Sequence, residues 1–541
     1  MAEFGPKDVC VVIPTRDRWE ILARTIAALR DQTVAGFEVL VVVDGTDQRV
    51  PALDGATVVT KEHGGPGAAR NLGARTTSRP LVLFVGDDMV PTRELVAAHL
   101  ERHRANPAPE VAVLGRSDWH PDAHGRINRW LDWSATQFDF GSIDGSEAGF
   151  GHFYSSNVSL KRDFFLEAGG FDEDFVYYYE DLDCGWRLSE KGMRLLYEPR
   201  ARTLHLHRLS WSDVVRRFRG IAAGEYLMAR KHAWFTPFFR DRVRRAATAR
   251  RAAPIWPLIA DRVPRSRAWL RTRAERRANT SYYQRLAPDF IDAWEAQCDL
   301  EELREYLGDS YDPSRLSGHL HELNRELEAA PDEKTFYRSS EAYLYDLTVF
   351  ALSATKVPYR RDLAELVPAG ARLLDWGCGI GADGFRFIAH GYDVAFADFD
   401  NPSTRYLRWR LARRGIDASV YDIDNDEVPG GYDAAYAFDV IEHVDDPFEL
   451  LDALERRAGI VMVNLLDDEP DAAHHPHHRA LPIRAILDHA DRKGLVRYRL
   501  YHGRSHLIAY RGRSVEATGL SRVRSIAQRH LGARLSAVRR R

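Results

Sequence analysis

The chain has 541 residues, room for about three to four domains that each bury a core, and its composition (45% hydrophobic, 29% charged) is that of an ordinary globular protein. No apolar run reaches the roughly 18 to 20 residues that a spanning helix needs and no leader signal opens the sequence, so a reducing cytoplasm is expected. The formal net charge of -3 conceals a basic stretch, with 18 Lys/Arg against 4 Asp/Glu between Arg216 and Arg277, and the 4 cysteines show neither CxxC nor metal spacing.

In chain order, the patterns predict a strand over Cys10–Pro14, a helix over Trp19–Arg30, strands over Phe37–Val43 and Ala56–Thr60, a helix over Gly67–Arg75 and a strand over Leu81–Val85. This alternation predicts a parallel sheet covered on both faces, with ligands at the carboxyl ends of its strands. Residues 211–330 read as helical, rich in Arg, Trp and Pro. The α/β rhythm returns near Phe336, with short strands over Leu373–Asp375, Asp393–Ala397, Ala418–Tyr421, Ala434–Phe438 and Gly459–Asn464. Leu495–Tyr501 and Ser505–Tyr510 flank His502-Gly-Arg504 as a closing antiparallel hairpin. The expected division is a first α/β domain over 1–235, a basic helical region over 236–332, a second α/β domain over 333–512 and a basic tail over 513–541.

Five motifs punctuate the first α/β region. Ile13-Pro-Thr-Arg16 and Asp44-Gly-Thr46 end the first two strands. His63-Gly-Gly-Pro-Gly-Ala-Ala-Arg-Asn-Leu-Gly73 is a glycine-rich turn entering a helix, whose free amides and Arg70 suit a diphosphate. Asp87-Asp88 follows an apolar strand, where two carboxylates are costly unless they meet a cation, and oxygen ligands suit Mg²⁺ or Mn²⁺. Glu180-Asp181 precedes Cys184-Gly-Trp-Arg-Leu188, and Tyr197-Glu-Pro leads to His205-Leu-His207. In this order the motifs resemble the family 2 glycosyltransferases of the GT-A fold.

That resemblance implies an inverting transfer from a nucleotide-diphosphate sugar to a hydroxyl acceptor that is a glycan, a lipid-linked saccharide or a small molecule. It implies that Pro14, Thr15, Arg16 and Asp44 hold base and ribose, that Arg70, Asn71 and Asp87 hold the rest of the donor, and that Asp88 ligates the metal. Asp181 becomes the catalytic base with Glu180 beside it, although an acidic helix cap could also explain that pair. A histidine of the closing strand can complete the metal site, and His205 fits the frame better than His207. The chain departs from the family where Gly86 replaces the first of three consecutive acids and where Asp44 stands alone before its glycine. These departures bear on which base is bound.

In the second region, Leu373-Leu-Asp-Trp-Gly-Cys-Gly-Ile-Gly381 is followed by acids at successive strand ends: Asp398, Asp422 and Asp439 of Asp439-Val-Ile-Glu-His-Val444. A lone glycine motif also suits a dinucleotide, but with these acids the region resembles the class I S-adenosylmethionine-dependent methyltransferases. The resemblance implies that Asp375, Gly377, Gly379 and Gly381 approach the methionine part of S-adenosyl-L-methionine. Asp398 then holds the ribose, Asp422 the adenine side and Asp439 the junction with the acceptor. An alcohol acceptor wants a base, for which His443 and the cluster His474-His-Pro-His-His478 are candidates; the cluster also reads as a solvated loop.

The basic middle, interleaved with aromatics such as Trp234, Trp256 and Trp269, admits three readings: a spacer whose arginines pair with acidic domains, a platform on anionic lipid at the inner membrane face, or a nucleic-acid site. No nucleic-acid module frames it, and nucleic acid is not an expected partner. The whole reads as a bifunctional transferase. The rival is a glycosyltransferase whose second domain only binds S-adenosylmethionine or acts as a scaffold.

Overall fold

Val9–Thr15 (β1) is buried at all seven positions, as expected of an unalternating β-branched run inside a sheet covered on both faces. In the computed structural model, which describes residues 4–264, 266–467 and 479–512, this strand lies in a first unit of residues up to 239 with 252–282. Residues 240–251 and those from 283 onward form a second unit.

The first unit's sheet continues through β2 (Glu38–Asp44), β3 (Thr57–Lys61), β4 (Leu81–Val85), β5 (Met89–Pro91), β6 (Val111–Trp119), β7 (Glu147–Ala148), β8 (Asn157–Lys161) and β9 (Arg194–His205). The order is β3-β2-β1-β4-β8-β6-β9-β5, with β7 beside β9. β1 to β4 pair in parallel as expected, and the chain reverses between β1 and β4, which makes their carboxyl ends a crevice. Beyond β4 the sheet is mixed, since β8 is antiparallel to both β4 and β6. Apolar runs report burial on two faces, not the direction of the neighbouring strand. The helix Gly65–Thr76 lies directly on this sheet because Gly73 has no side chain; a Cβ there would come within 2.3 Å of Val12 Cγ1.

In the second unit, β10 (Arg372–Trp376), β11 (Asp393–Asp398), β12 (Val420–Asp422), β13 (Tyr432–Ala437), β14 (Ala458–Leu466), β15 (Leu495–Tyr501) and β16 (Ser505–Arg511) form one sheet, ordered β12-β11-β10-β13-β14-β16-β15. The first five are parallel; β15 and β16 form the expected antiparallel hairpin, joined through left-handed His502 and Gly503. The switch point falls between β10 and β13.

The helix Ala268–Leu307 gives its residues from 283 onward to this unit. There it presents Asp292, Asp299 and Glu302, all essentially inaccessible, to arginines of the α/β region. Asp292 pairs with Arg360 (2.5 Å) and Arg386 (2.8 Å), Asp299 with Arg386 (2.9 Å) and Arg410, and Glu302 with Arg410 (2.7 Å) and Arg414 (2.6 Å). Buried charges of this kind are tolerated only when fully paired. No helix among the described residues is long and apolar enough to cross a membrane.

Candidate functional site

In the first unit the crevice gathers side chains from four strand ends. Thr15, closing β1, donates its hydroxyl to Asp87 Oδ2 (2.8 Å) just beyond β4. Arg18, three residues on, donates to Asp87 through Nε (3.1 Å) and Nη2 and to Asp88 through Nη1 (2.8 Å). Both aspartates are buried, at 2% and 6% exposure, so their charges depend on these partners.

The pairing of β5 with β9 sets Met89 opposite His205 and so brings the histidine to Asp88, with His205 Nε2 3.2 Å from Oδ2 and His207 Nδ1 3.7 Å from it. Ligand atoms of Asp88, His205 and His207 all lie within 4.8 Å of one another, a donor set that fits one divalent cation. His205 is also fixed by its stack on Trp119, ring centres 4.7 Å apart. Burial pushes Asp87 up to about 6 against the pull of Arg18. Burial pushes Asp88 the same way, but His205 and Arg18 outweigh it and hold its carboxyl well below the usual range.

Glu180 and Asp181 open the helix Glu180–Glu190 behind two tyrosines, Tyr178 (φ 63°) and Tyr179 (φ 71°), both in the left-handed region that bulky residues avoid. Asp181 Oδ2 accepts the Ser155 N–H (3.0 Å), while Oδ1 is shielded from water without a partner. Burial and the Asp181 charge push Glu180 up to about 8, and burial raises Asp181. Arg70 lies 3.6 Å from Glu180 and its Nε has no hydrogen-bond partner.

Two expected donor residues are occupied by the fold. Asp44 accepts the N–H groups of Gly64 and Gly65 (both 2.9 Å) at the start of the helix Gly65–Thr76, and also meets Lys61 (3.1 Å) and His63 (2.8 Å). Asn71 donates to Phe171 O and Glu173 (both 2.9 Å) and accepts the Phe171 N–H (2.8 Å). Arg16 lines a cleft of about 690 Å³ at the ends of β1, β2 and β3, together with Lys61 and His63. Pro14 is buried within β1.

In the second unit a cavity of about 730 Å³ opens at the switch point, lined by Asp375, Gly377, Gly379, Asp398, Asp439 and His443 among others. Gly377, Gly379 and Gly381 all take left-handed conformations (φ 71°, 51° and 71°). A Cβ on Gly379 would approach Leu347 Cδ1 to 2.8 Å, and one on Gly377 would meet Val440 at 2.6 Å. Asp398 accepts the N–H groups of Gly379 and Phe399 (both 2.7 Å), and burial pushes it up to about 6. Asp375 keeps Oδ2 without a partner, and burial together with the Asp383 charge holds its carboxyl well above the usual range.

Asp439, itself left-handed (φ 56°), is clasped by Asn464 (2.7 Å) and Lys356 (3.2 Å). His443 Nδ1 meets the Tyr337 hydroxyl at 2.9 Å. Glu442 is 1% exposed, has no partner on either carboxylate oxygen and is pushed up to about 8 by burial and the Asp439 charge. Asp422 is the register partner of Asp398 on the neighbouring strand, but Ile423, not Asp422, lines the cavity, and Asp422 is bonded by Asn425 (2.6 Å). The His474–His478 cluster lies outside the described residues. Sequence reasoning missed Arg18, Lys356, Tyr337 and Glu442. Arg18 stands three residues after Thr15 and Glu442 lies inside the Asp439–Val444 motif, so both carry a local signal, whereas Lys356 and Tyr337 carry none.

A family profile described as Glycosyl transferase family 2 matches residues 10–163, and one described as Methyltransferase domain matches residues 374–459. The chain is similar to a pre-mycofactocin glycosyltransferase of Mycobacterium tuberculosis, 31% identical over 227 residues covering 39% of this chain and 46% of the relative. It is also similar to a validoxylamine A glucosyltransferase of Streptomyces hygroscopicus subsp. jinggangensis, 31% identical over 221 residues covering 34% and 51%. A glucosyl-dolichyl phosphate glucuronosyltransferase of Haloferax volcanii is 26% identical over 223 residues, covering 36% and 68%. The chain thus spans about half the length of the first two curated relatives.

Proposed function

We propose, for a chain that carries a family 2 glycosyltransferase domain and a methyltransferase domain, a bifunctional transferase. Its first site moves a sugar from a nucleotide-diphosphate donor to a hydroxyl with inversion. Its second methylates a hydroxyl, in the same glycan or glycosylated-metabolite pathway. The observation that carries the first half is the half-buried Asp181, whose Oδ1 is shielded from water and has no partner, in a unit that also gathers Asp87, Asp88 and two histidines.

Asp181 Oδ1 takes the acceptor proton as the acceptor oxygen attacks the anomeric carbon, and the bond to the diphosphate breaks on the opposite face. Asp88, His205 and His207 would hold a divalent cation, Mg²⁺ or Mn²⁺, which supplies charge stabilisation to a departing diphosphate. Arg70 keeps Glu180 and Asp181 beside a cation, so that one of the pair stays ionised.

In the second unit, Asp398 and the glycines of the β10 loop would seat S-adenosyl-L-methionine, which supplies the methyl group. Lys356 and Asn464 hold Asp439 in place, and Tyr337 orients His443 to take the proton of the accepting hydroxyl. Tethering two sites on one chain raises the effective concentration of a shared intermediate. The acceptor class includes glycan, lipid-linked and small-molecule hydroxyls, since relatives are named for a dolichyl phosphate and for validoxylamine A. The cytoplasm, with peripheral contact at the inner membrane face through the basic region, is the proposed setting. A hydrolysis screen over nucleotide sugars with Mn²⁺, with and without S-adenosylmethionine, tests the reading. No turnover of any donor would overturn it.

A further inference from the structure

The helix Trp211–Lys231 lies beyond the residues that the glycosyltransferase profile matches. Its start is fixed by Ser210, whose hydroxyl accepts the Asp213 N–H (3.2 Å) while the Asp213 carboxylate accepts the Ser210 N–H (2.9 Å). One face of the helix is pressed onto the turn that carries Glu180 and Asp181. A Cβ on Gly220 would sit 2.7 Å from the Tyr178 ring, and one on Gly224 would sit 2.8 Å from the Tyr179 ring and 2.9 Å from the Tyr178 carbonyl oxygen. Arg217, one turn before Gly220, is thereby held with its guanidinium 5.4 Å from the centre of the Tyr178 ring.

Arg217 has no carboxylate at ion-pair distance among the described residues, and its Nε is shielded from water without a hydrogen-bond partner. Its neighbour Arg216, by contrast, pairs with Asp213. Burial lowers the Arg217 pKa, and the Asp88 charge is near enough to oppose that effect. Asp88 itself is already engaged by Arg18 and His205. A half-buried guanidinium whose Nε is cut off from water and which has no anion is unfavourable unless a ligand supplies one.

We propose that Arg217 is a phosphate-binding residue of the N-terminal site, its planar fork completed by phosphate oxygens once substrate is present. Those oxygens belong either to the donor's diphosphate or to the phosphate of a phosphorylated acceptor. The inference rests on reading the first domain as a nucleotide-sugar site.

Calorimetric titration of the full chain with Mn²⁺ present tests it, using inorganic pyrophosphate, UDP and GDP with uridine and guanosine as phosphate-free counterparts, and farnesyl phosphate as the acceptor probe. Arg217→Ala should weaken pyrophosphate and nucleoside diphosphate binding by about tenfold or more. Nucleoside binding and the thermal midpoint should be unchanged, and Arg217→Lys, which keeps the charge without the fork, should fall between. Loss confined to farnesyl phosphate assigns the residue to the acceptor. Wild-type binding of these anions that both variants leave unchanged overturns the inference alone. Should Arg217→Ala fail to fold, Arg217→Lys decides by the same criterion. A wild-type chain that binds none of the three anion classes overturns the donor reading along with it.

Discussion

At the end of β4, Asp87 and Asp88 are already met by Arg18, Thr15 and His205. At the end of β10, Asp375 keeps an oxygen with no partner, and Lys356 is shared between Asp383 (3.5 Å) and Asp439 (3.2 Å). The first site is balanced by cations of its own, so a divalent ion arriving there must displace or join Arg18. The second gathers acids around a cavity, where burial holds Asp375 and Glu442 toward their neutral forms, so a cationic ligand there would draw out charge from groups already in place. Two sheets of related rhythm thus prepare their strand ends for opposite kinds of event.

The largest expected effects come from removing the groups that have no substitute. Asp181→Asn keeps shape but cannot accept a proton, so sugar-transfer turnover should fall by about 10²–10⁴ while donor affinity holds. Donor affinity that collapsed with turnover intact would mark Asp181 as a binding residue. Asp88→Ala should abolish sugar transfer, as should EDTA, because cation stabilisation of a leaving group is worth several kcal/mol. S-adenosylmethionine affinity of the same variant should not move.

Gly379→Arg attacks the other side of the comparison. The position is left-handed and already within 2.8 Å of Leu347 for a Cβ alone, so calorimetry should find no S-adenosylmethionine binding. Donor hydrolysis should stay within about twofold, because the two units have separate cores. Hydrolysis that fell with cofactor binding would make the second domain a regulator of the first. A smaller change is expected from Arg18→Gln, which removes the balancing cation and should raise affinity for Mn²⁺ without nucleotide by about tenfold, read by titration.

The smallest effect is on stability. Burial and the Asp439 charge push the Glu442 carboxyl from 4.5 to about 8, so the folded chain holds a proton that the unfolded chain has released. Stability from this group is therefore present at acidic pH and lost as pH rises from about 4.5 through about 8. Thermal midpoints should drop between pH 6 and pH 8, and Glu442→Gln should flatten that drop by about 2–4 °C. An unchanged slope would mean that Glu442 is ionised throughout.

Where the sequence was legible, local chemistry sufficed. The helix Trp19–Arg30 and the strands Leu81–Val85 and Leu495–Tyr501 lie where periodicity sets them. The acids at the ends of β4, β10 and β11 were visible because an abrupt carboxylate after an apolar run is itself a signal. Asp44 shows the limit: the strand-end acid was plain, but Gly64 and Gly65, 20 and 21 residues on, take up its oxygens. β6, interrupted by Gly115, and β8 were missed, and their direction depends on partners far along the chain. Lys356, in the turn before the helix Val357–Leu366, and Tyr337, in the helix Glu333–Ser339, belong to no motif, and only the tertiary fold brings them to Asp439 and His443.

The acids of the helix Ala268–Leu307 carry a practical consequence for anyone who cuts this chain. A fragment started at residue 333, at the return of the α/β rhythm, would omit Asp292, Asp299 and Glu302 while retaining Arg386 and Arg410, which are 1% and 0% exposed in side chain. Each stranded guanidinium would cost about 3–5 kcal/mol, a large share of what an ordinary domain has to lose. Such a fragment should express as aggregate, whereas one begun before residue 283 carries its own counter-ions and should stay soluble and bind S-adenosylmethionine.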